Sequence, residues 1–373
     1  MPGSDRCTVV SQKAVVTPGK RETKTNMKLW WIGTCILLTT CWAGAQKPDT
    51  DHTDAGYVPV LSGTFGYVQN VNGGVTSLEP QVETVLLVPF GSHVLLESRA
   101  EFFGFFQREN QTTGPFTGKV FKSVDYAQLD WLANTHVIAT AGAFLLPYGL
   151  YNERLAPLWI RNLQDAPITD VIGTRPSGTG DGVMLRGNAY ETPAYSIQYS
   201  AYFSTRSSIN QLESSRLAGG DTSIFLKGAR LEVGESFQHT LQEHQINNSG
   251  TYVSWQPERF PLDLKAEFDR CFNGEGYWIE SAYKLSQVPL APAFFSRVQL
   301  VPRVQQFHPL NGGGNSLPTK DTQRFDIGVN YYFRDNFRLV SSYGRQFSNQ
   351  ANANIWNAGV TYRFVWPLWP GRK

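Results

Sequence analysis

Hydrophobic and polar residues alternate along much of this chain with a period of two. In RFDIGVNYYF, Phe325, Ile327, Val329, Tyr331 and Phe333 fall on one side of an extended backbone, and Arg324, Asp326, Gly328, Asn330 and Tyr332 on the other. The same division sets Tyr195, Ile197, Tyr199, Ala201 and Phe203 against Ser196, Gln198, Ser200, Tyr202 and Ser204. Towards the end of the chain Trp356, Ala358, Val360, Tyr362, Phe364 and Trp366 stand opposite Asn357, Gly359, Thr361 and Arg363. No long stretch keeps the 3.6-residue period of an amphipathic helix. The pattern predicts an all-β chain.

Sixteen extended runs can be marked, the first at 61–71 and the last at 355–366. The eighth is placed at 222–233, and the ninth and tenth, at 237–246 and 251–256, are weak; fourteen is the count without those two. Their connections alternate in length. Short turns at 90–92, 133–135, 192–194 and 334–336 take turns with polar loops at 108–118, 207–221 and 308–321. The longest loop, 147–180, lies between the fifth and sixth runs and is the third at the elaborated end. One trimmed end, one elaborated end and an even strand number describe a transmembrane antiparallel up-and-down β-barrel.

A soluble β-sandwich would also alternate. Two features favour the barrel. Aromatic residues collect at the ends of the apolar faces, as at Phe102/Phe106, Tyr331/Phe333 and Tyr362/Phe364/Trp366, where an interfacial girdle sits. Some sixteen strands without a domain break also exceed the usual size of one sandwich. Lipid offers no hydrogen-bond partner, so a spanning sheet must close on itself. Two runs resist the pattern: 120–132 puts Asp125 beside Ala127 and Leu129, and 222–233 puts Lys227 beside Phe225 and Ala229. Bulges or interface positions are the readings open for them.

Composition adds a location. Charged residues make up 17% of the chain and aromatic residues 13%, against about 25% charged in soluble domains. The segment MKLWWIGTCILLTTCWAGAQ, residues 27–46, has one Lys, a short apolar core and small residues before Gln46. It reads as a secretory signal peptide cleaved after Ala45, its core being about half of what a spanning helix needs. A lipid-modified Cys41 ranks behind it, because Thr40 is bulky for such a site. Residues 1–26 are an extended n-region, or Met27 rather than Met1 is the start. The expected organisation is then a leader at 1–45, a tail at 46–56, the barrel at 57–366 with loop 147–180 turned inward, and a tail at 367–373, in the bacterial outer membrane.

Removing the leader takes six Lys/Arg and two acids, leaving 27 bases against 29 acids. That balance gives no nucleic-acid footprint. Only Cys271 remains of the four cysteines, which excludes an intramolecular disulfide and a cysteine-based metal site. None of the six histidines sits in a motif with a nucleophile, and no GxSxG occurs. His239 and His244, with Glu243 between them, have the wrong spacing for a zinc helix. The sequence therefore predicts no catalytic residue, no cofactor and no metal. A lipase-like barrel enzyme and a non-porin receptor are the alternatives to a porin that passes small hydrophilic solutes or ions.

The ending WNAGVTYRF, through Asn357, Gly359, Tyr362 and Phe364, resembles the assembly signal by which outer-membrane barrels engage their assembly machinery. It departs from that pattern in that nine residues, VWPLWPGRK, follow Phe364. The last three runs, RFDIGVNYYFRDNFRLVSSYGRQF and NIWNAGVTYRF, resemble the C-terminal hairpins of the porin O and P family, the phosphate-selective porins; FLLPYGLYNER is similar to that family's Pro-Gly stretch before its constriction loop. The resemblance implies a sixteen-stranded homotrimer in outer-membrane lipid, with arginines along the path and the third loop folded inward. Arg297, Arg303, Arg324, Arg338 and Arg363 fall on the inferred lumen side as a basic stripe suited to anions. Glu97, Glu101, Asp263, Glu267, Asp269 and Asp326 fall on the same side, so the balance does not imply phosphate selectivity. If loop 147–180 enters the lumen, Arg154, Arg161, Asp165, Asp170 and Arg175 set its narrowest charge ring.

Overall fold

In a computed structural model, the described residues are 58–108, 114–169, 178–206, 216–241, 247–310, 317–348 and 352–368. The expected leader, the tail at 46–56 and, of the expected tail at 367–373, residues 369–373 lie outside them. Sixteen antiparallel strands close into one barrel, each bonded to its neighbours in sequence and the first to the last. They are β1 (Val60–Asn72), β2 (Val75–Phe90), β3 (Val94–Arg108), β4 (Phe116–Leu132), β5 (Ile138–Leu145), β6 (Thr179–Glu191), β7 (Tyr195–Arg206) and β8 (Leu217–Leu226). The second half comprises β9 (Leu231–Thr240), β10 (Asn247–Trp255), β11 (Leu262–Cys271), β12 (Gly274–Lys284), β13 (Val298–Pro309), β14 (Thr322–Arg334), β15 (Phe337–Ser348) and β16 (Ala353–Pro367).

The alternation maps onto the wall. On β14 the side chains of Thr322, Arg324, Asp326 and Asn330 are buried inside, while Phe325, Ile327, Val329 and Phe333 are exposed outside. Closure from Val60 opposite Pro367 to Asn72 opposite Ile355 leaves no free sheet edge where the first and last strands meet. The exposed outer residues are then covered by lipid, which gains apolar surface without leaving backbone groups unpaired.

The structure moves several expected boundaries. The run expected at 222–233 is interrupted by a turn at 227–230 between β8 and β9, and the ninth strand ends at Thr240 rather than at 246. Lys227 therefore belongs to a turn, where its ammonium meets Glu191 at 2.8 Å, and its clash with the apolar pattern disappears. Asp125 is the extra residue of a bulge: Arg99 pairs with Tyr126 and Ala100 with Val124, leaving Asp125 between them and 3.1 Å from the Arg99 Nε. A bulge shifts the alternation by one, which is why the face of β4 could not be read straight through. At the elaborated end the first connection is only Gly73–Gly74, with φ of 57° and 91°, a conformation that glycine adopts without a Cβ penalty. The trimmed end carries one long connection, 285–297, which contains a helical turn at Pro292–Phe295.

Candidate functional site: the loop inside the barrel

β5 is eight residues long and pairs with β4 only through Ala127–Leu132, because the chain leaves the wall after Leu145 and turns into the lumen. The loop is closed at its base, where the Leu146 amide donates to the Gly178 carbonyl at 2.8 Å. The Asn152 side-chain amide donates to the carbonyls of Leu146 at 2.8 Å and Gly178 at 2.9 Å.

Backbone buried away from water needs partners, and here the wall supplies them. The Gly149 amide donates to Ser236 Oγ on β9 at 2.9 Å, and the Leu150 amide to Glu267 Oε2 on β11 at 3.1 Å. Gly149 has φ of 63°, and a Cβ there would stand 1.6 Å from Glu267 Oε1, so only glycine lets the loop come this near. One helical turn follows at Tyr151–Leu155; Leu150, Tyr151 and Leu155 pack on Tyr252 of β10 and Trp278 of β12. Arg154 pairs with Glu232 of β9 at 2.8 Å and lies over the Tyr252 ring at 5.5 Å. Glu153 pairs with Arg186 of β6 at 3.0 Å.

The far part of the loop is held from the opposite wall. The Leu158 amide donates to the Glu83 carboxylate of β2 at 3.0 and 3.1 Å. Arg338 of β15, 1% exposed, donates to the carbonyls of Leu158 at 2.8 Å and Arg161 at 3.1 Å while its guanidinium stacks on Trp159 at 5.1 Å. On the way back Asn162 donates to Glu280 of β12 at 2.8 Å, Asn330 of β14 donates to the Asn162 carbonyl at 2.9 Å, and the Ile168 amide donates to Gln305 of β13 at 2.8 Å. Asp165 pairs with Arg324. Walls on opposite sides of the barrel thus grip one loop.

Among the described residues, voids remain beside it, two of them sizeable. One, of about 410 Å³, is lined by β1–β4 and β16 with Pro157, Trp159 and Ile160 of the loop. The other, of about 630 Å³, lies against β5–β8 with Pro147, Glu153 and Arg154. Both are lined by Arg186 and Glu153, so this ion pair stands between them. Desolvation inside the barrel pushes the Glu153 carboxyl above the usual carboxylate range, against the pull of Arg186 and Arg154, although 31% of its side chain still meets lumen water.

The structure treats the sequence-marked charges unequally. Of the five loop residues, Arg154, Arg161 and Asp165 all bond to the wall, Arg161 through Gln81 at 3.3 Å. Asp170 and Arg175 lie outside the described residues. Of the five stripe arginines, Arg303 is enclosed by Glu280 at 3.7 Å and Asp326 at 3.4 Å, and Arg324 by Asp326 at 2.7 Å and by Asp165. Arg338 grips the loop as described. Arg363 is exposed on the rim of the smaller void, and Arg297 sits exposed in the 285–297 connection, outside the strands. A continuous open stripe is therefore absent among the described residues. Glu83, Arg99, Glu153, Trp159 and Arg186 were not marked from the sequence. Glu83 opens the second expected run but lies in the middle of β2, where its inward alternation with Gln81 is the signal that identifies it.

The candidate assembly residues occupy the closing strand. Asn357 is buried on the lumen side and accepts from Asn70 at 2.7 Å. Gly359 faces Val68 across the seam. Tyr362 is exposed outside, whereas Phe364 is 4% exposed, its ring between Phe65 at 5.1 Å and Trp366 at 4.4 Å and over Gly63. β16 continues three residues past Phe364, to Pro367.

No family model and no curated protein matches the chain. Solved structures do. OprB of Pseudomonas putida at high pH aligns with a TM-score of 0.58 at 10% identity over 83% of this chain and 94% of that one. A mutant of the Rh. blastica porin aligns with 0.52 at 10% identity over 82% and 100%. The trimer form of OmpT, an outer membrane protein of Vibrio cholerae, aligns with 0.51 at 12% identity over 82% and 100%. These similarities establish the fold: the chain is a sixteen-stranded β-barrel with the architecture of outer-membrane porins.

Proposed function

We propose that this barrel is a porin, a passive channel for small hydrophilic solutes or ions, and not an enzyme, with loop 147–180 as its constriction. The observation that carries the reading is the loop itself, tied from opposite walls by amides, carboxylates and guanidiniums, with charged voids left on either side. Pore selectivity follows from diameter and from the charges at the narrowest section. Most lumen arginines are matched by carboxylates, which favours weak charge selectivity over a phosphate-selective path. Among the described residues Arg363, exposed and without an ion pair, is the arginine most open to a passing anion while Glu153 is charged.

A homotrimer is part of the proposal, supported by the trimer form of the structurally similar Vibrio cholerae protein. So is recognition of Asn357, Gly359, Tyr362 and Phe364 by the barrel assembly machinery. Planar-bilayer recording of the detergent-purified protein under a KCl gradient tests the channel. Stepwise openings with a reversal potential near zero are expected. A folded, heat-modifiable protein that never conducts would move the function to a receptor, a plugged transporter or an enzyme.

A further inference from the structure

Ile160 is 52% exposed although it sits on a loop whose neighbours Leu158 and Leu163 are buried at 1% and 3%. It projects from the loop into the smaller void, beside half-buried Trp159 and Pro157 and across from Val85 and Leu145 of the wall. Leaving an isoleucine half-exposed in a wet lumen forgoes part of its burial energy. With Trp159 and Pro157 beside it, Ile160 gives this void an apolar ledge.

The same void holds an uncommitted cation. Arg99 is ion-paired with Glu83 at 3.1 Å and Asp125 at 3.1 Å, and Arg186 with Glu153 at 3.0 Å and Asp130 at 3.8 Å. Glu97 accepts from the Tyr126 hydroxyl at 2.6 Å. Arg363 is exposed, and its guanidinium makes no ion pair or side-chain hydrogen bond among the described residues. Its strand neighbour across the seam is Thr64, and the next along that row is Glu83, which is occupied by Arg99 and the loop amide of Leu158. A fork of donors therefore faces the void with an apolar ledge on the other side.

We propose that this void is a binding station for amphipathic monoanions, small solutes with one carboxylate and one flat apolar group. The carboxylate is held by the Arg363 fork in the bidentate geometry suited to it, and the apolar group lies on Ile160 and Trp159. A volume of about 410 Å³ falls within the range of small-molecule sites. The inference rests on the channel reading and names the solute class for it.

Benzoate is the probe. In single-channel recordings in KCl, added sodium benzoate is expected to interrupt the current in a saturable manner. Sodium acetate, which lacks the ring, and benzyl alcohol, which lacks the charge, are expected to block at least about tenfold more weakly. Arg363→Gln and, separately, Ile160→Ser are each expected to raise the half-blocking benzoate concentration about tenfold, the scale of one charge-assisted contact or one buried apolar group. Heat-modifiability on gels verifies that each variant is folded, and Ile160→Ser lies on the loop, away from the strand ladder.

Equal block by acetate and benzoate, equal block by benzyl alcohol, or variants with unchanged half-blocking concentration would each overturn the station while leaving the channel in place. A folded protein without current would overturn the channel, and benzoate-protected labelling of Ser62→Cys, which lines the void away from the two proposed contacts, by a thiol reagent would then test the station alone. Protection at millimolar benzoate with none by acetate supports it, and identical labelling rates overturn it.

Discussion

Replacing Arg338 with Ala removes the contact that fixes the apex of the loop to the wall. In the structure its guanidinium donates to two loop carbonyls at 2.8 and 3.1 Å, donates to Thr361 Oγ1 at 3.2 Å and stacks on Trp159 at 5.1 Å. Hydrogen bonds to a charged group are worth about 1.5–3 kcal/mol each, and stacking under a cation adds about 1 kcal/mol. Part of this is offset because the substitution also relieves the burial of a guanidinium that has no carboxylate partner among the described residues. A net weakening of the apex by about 3 kcal/mol raises the population of a displaced loop by about two orders of magnitude.

The barrel itself stays closed, since the ladder joining β14, β15 and β16 does not depend on the side chain. The expected phenotype in bilayers is therefore a folded, heat-modifiable protein with higher conductance and increased open-channel noise. Arg338→Lys keeps the charge but cannot span both carbonyls and the ring, and is expected to fall between the two. An Arg338→Ala channel with parental conductance and noise would refute the claim that this residue holds the loop.

Other outcomes follow from the same contacts. Gly149→Ala puts a Cβ where the Glu267 carboxylate stands and strains a backbone at φ of 63°, at a cost of at least about 1 kcal/mol; conductance is expected to change while the heat-modifiable fraction persists. Because the Glu153 carboxyl is raised, it loses its negative charge at a higher pH than an exposed acid as pH falls, leaving Arg186 only its longer 3.8 Å contact with Asp130. The reversal potential in a KCl gradient should then move towards anion preference as pH is lowered, and Glu153→Gln should show the shifted value throughout. Phe364→Ala uncovers Gly63 and opens the contact with Phe65 and Trp366, a loss of about 2 kcal/mol at the closing seam. Folding into detergent or liposomes should yield a smaller heat-modifiable fraction than the parent, measured on unboiled gels.

The barrel was legible because its physics is periodic. A wall with lipid on one face and water on the other repeats every two residues, so β14 could be read side chain by side chain. Reading failed where the period breaks. The bulge at Asp125 inverted the faces of β4, and the turn at 227–230 was hidden because Lys227 and Gly228 lie between apolar Phe225–Leu226 and Leu231. The loop was legible by its length and position, but not its fastening. Whether Arg338 faces a solute or a loop carbonyl depends on where a segment some 180 residues away in sequence comes to rest. Charge alone placed Arg303, Arg324 and Arg338 in one stripe; their partners, Glu280, Asp326, Asp165 and the Leu158 carbonyl, come from β12, from β14 and from the loop.

Excising residues 150–178 tests the central claim most directly. Leu145 and Thr179 are register partners, so the deletion leaves 146–149 as a short hairpin connection in an intact barrel. The loop acting as constriction predicts a severalfold rise in single-channel conductance with loss of benzoate block. Unchanged conductance in a folded deletion variant would contradict it, and the narrowest part of the channel would have to lie elsewhere.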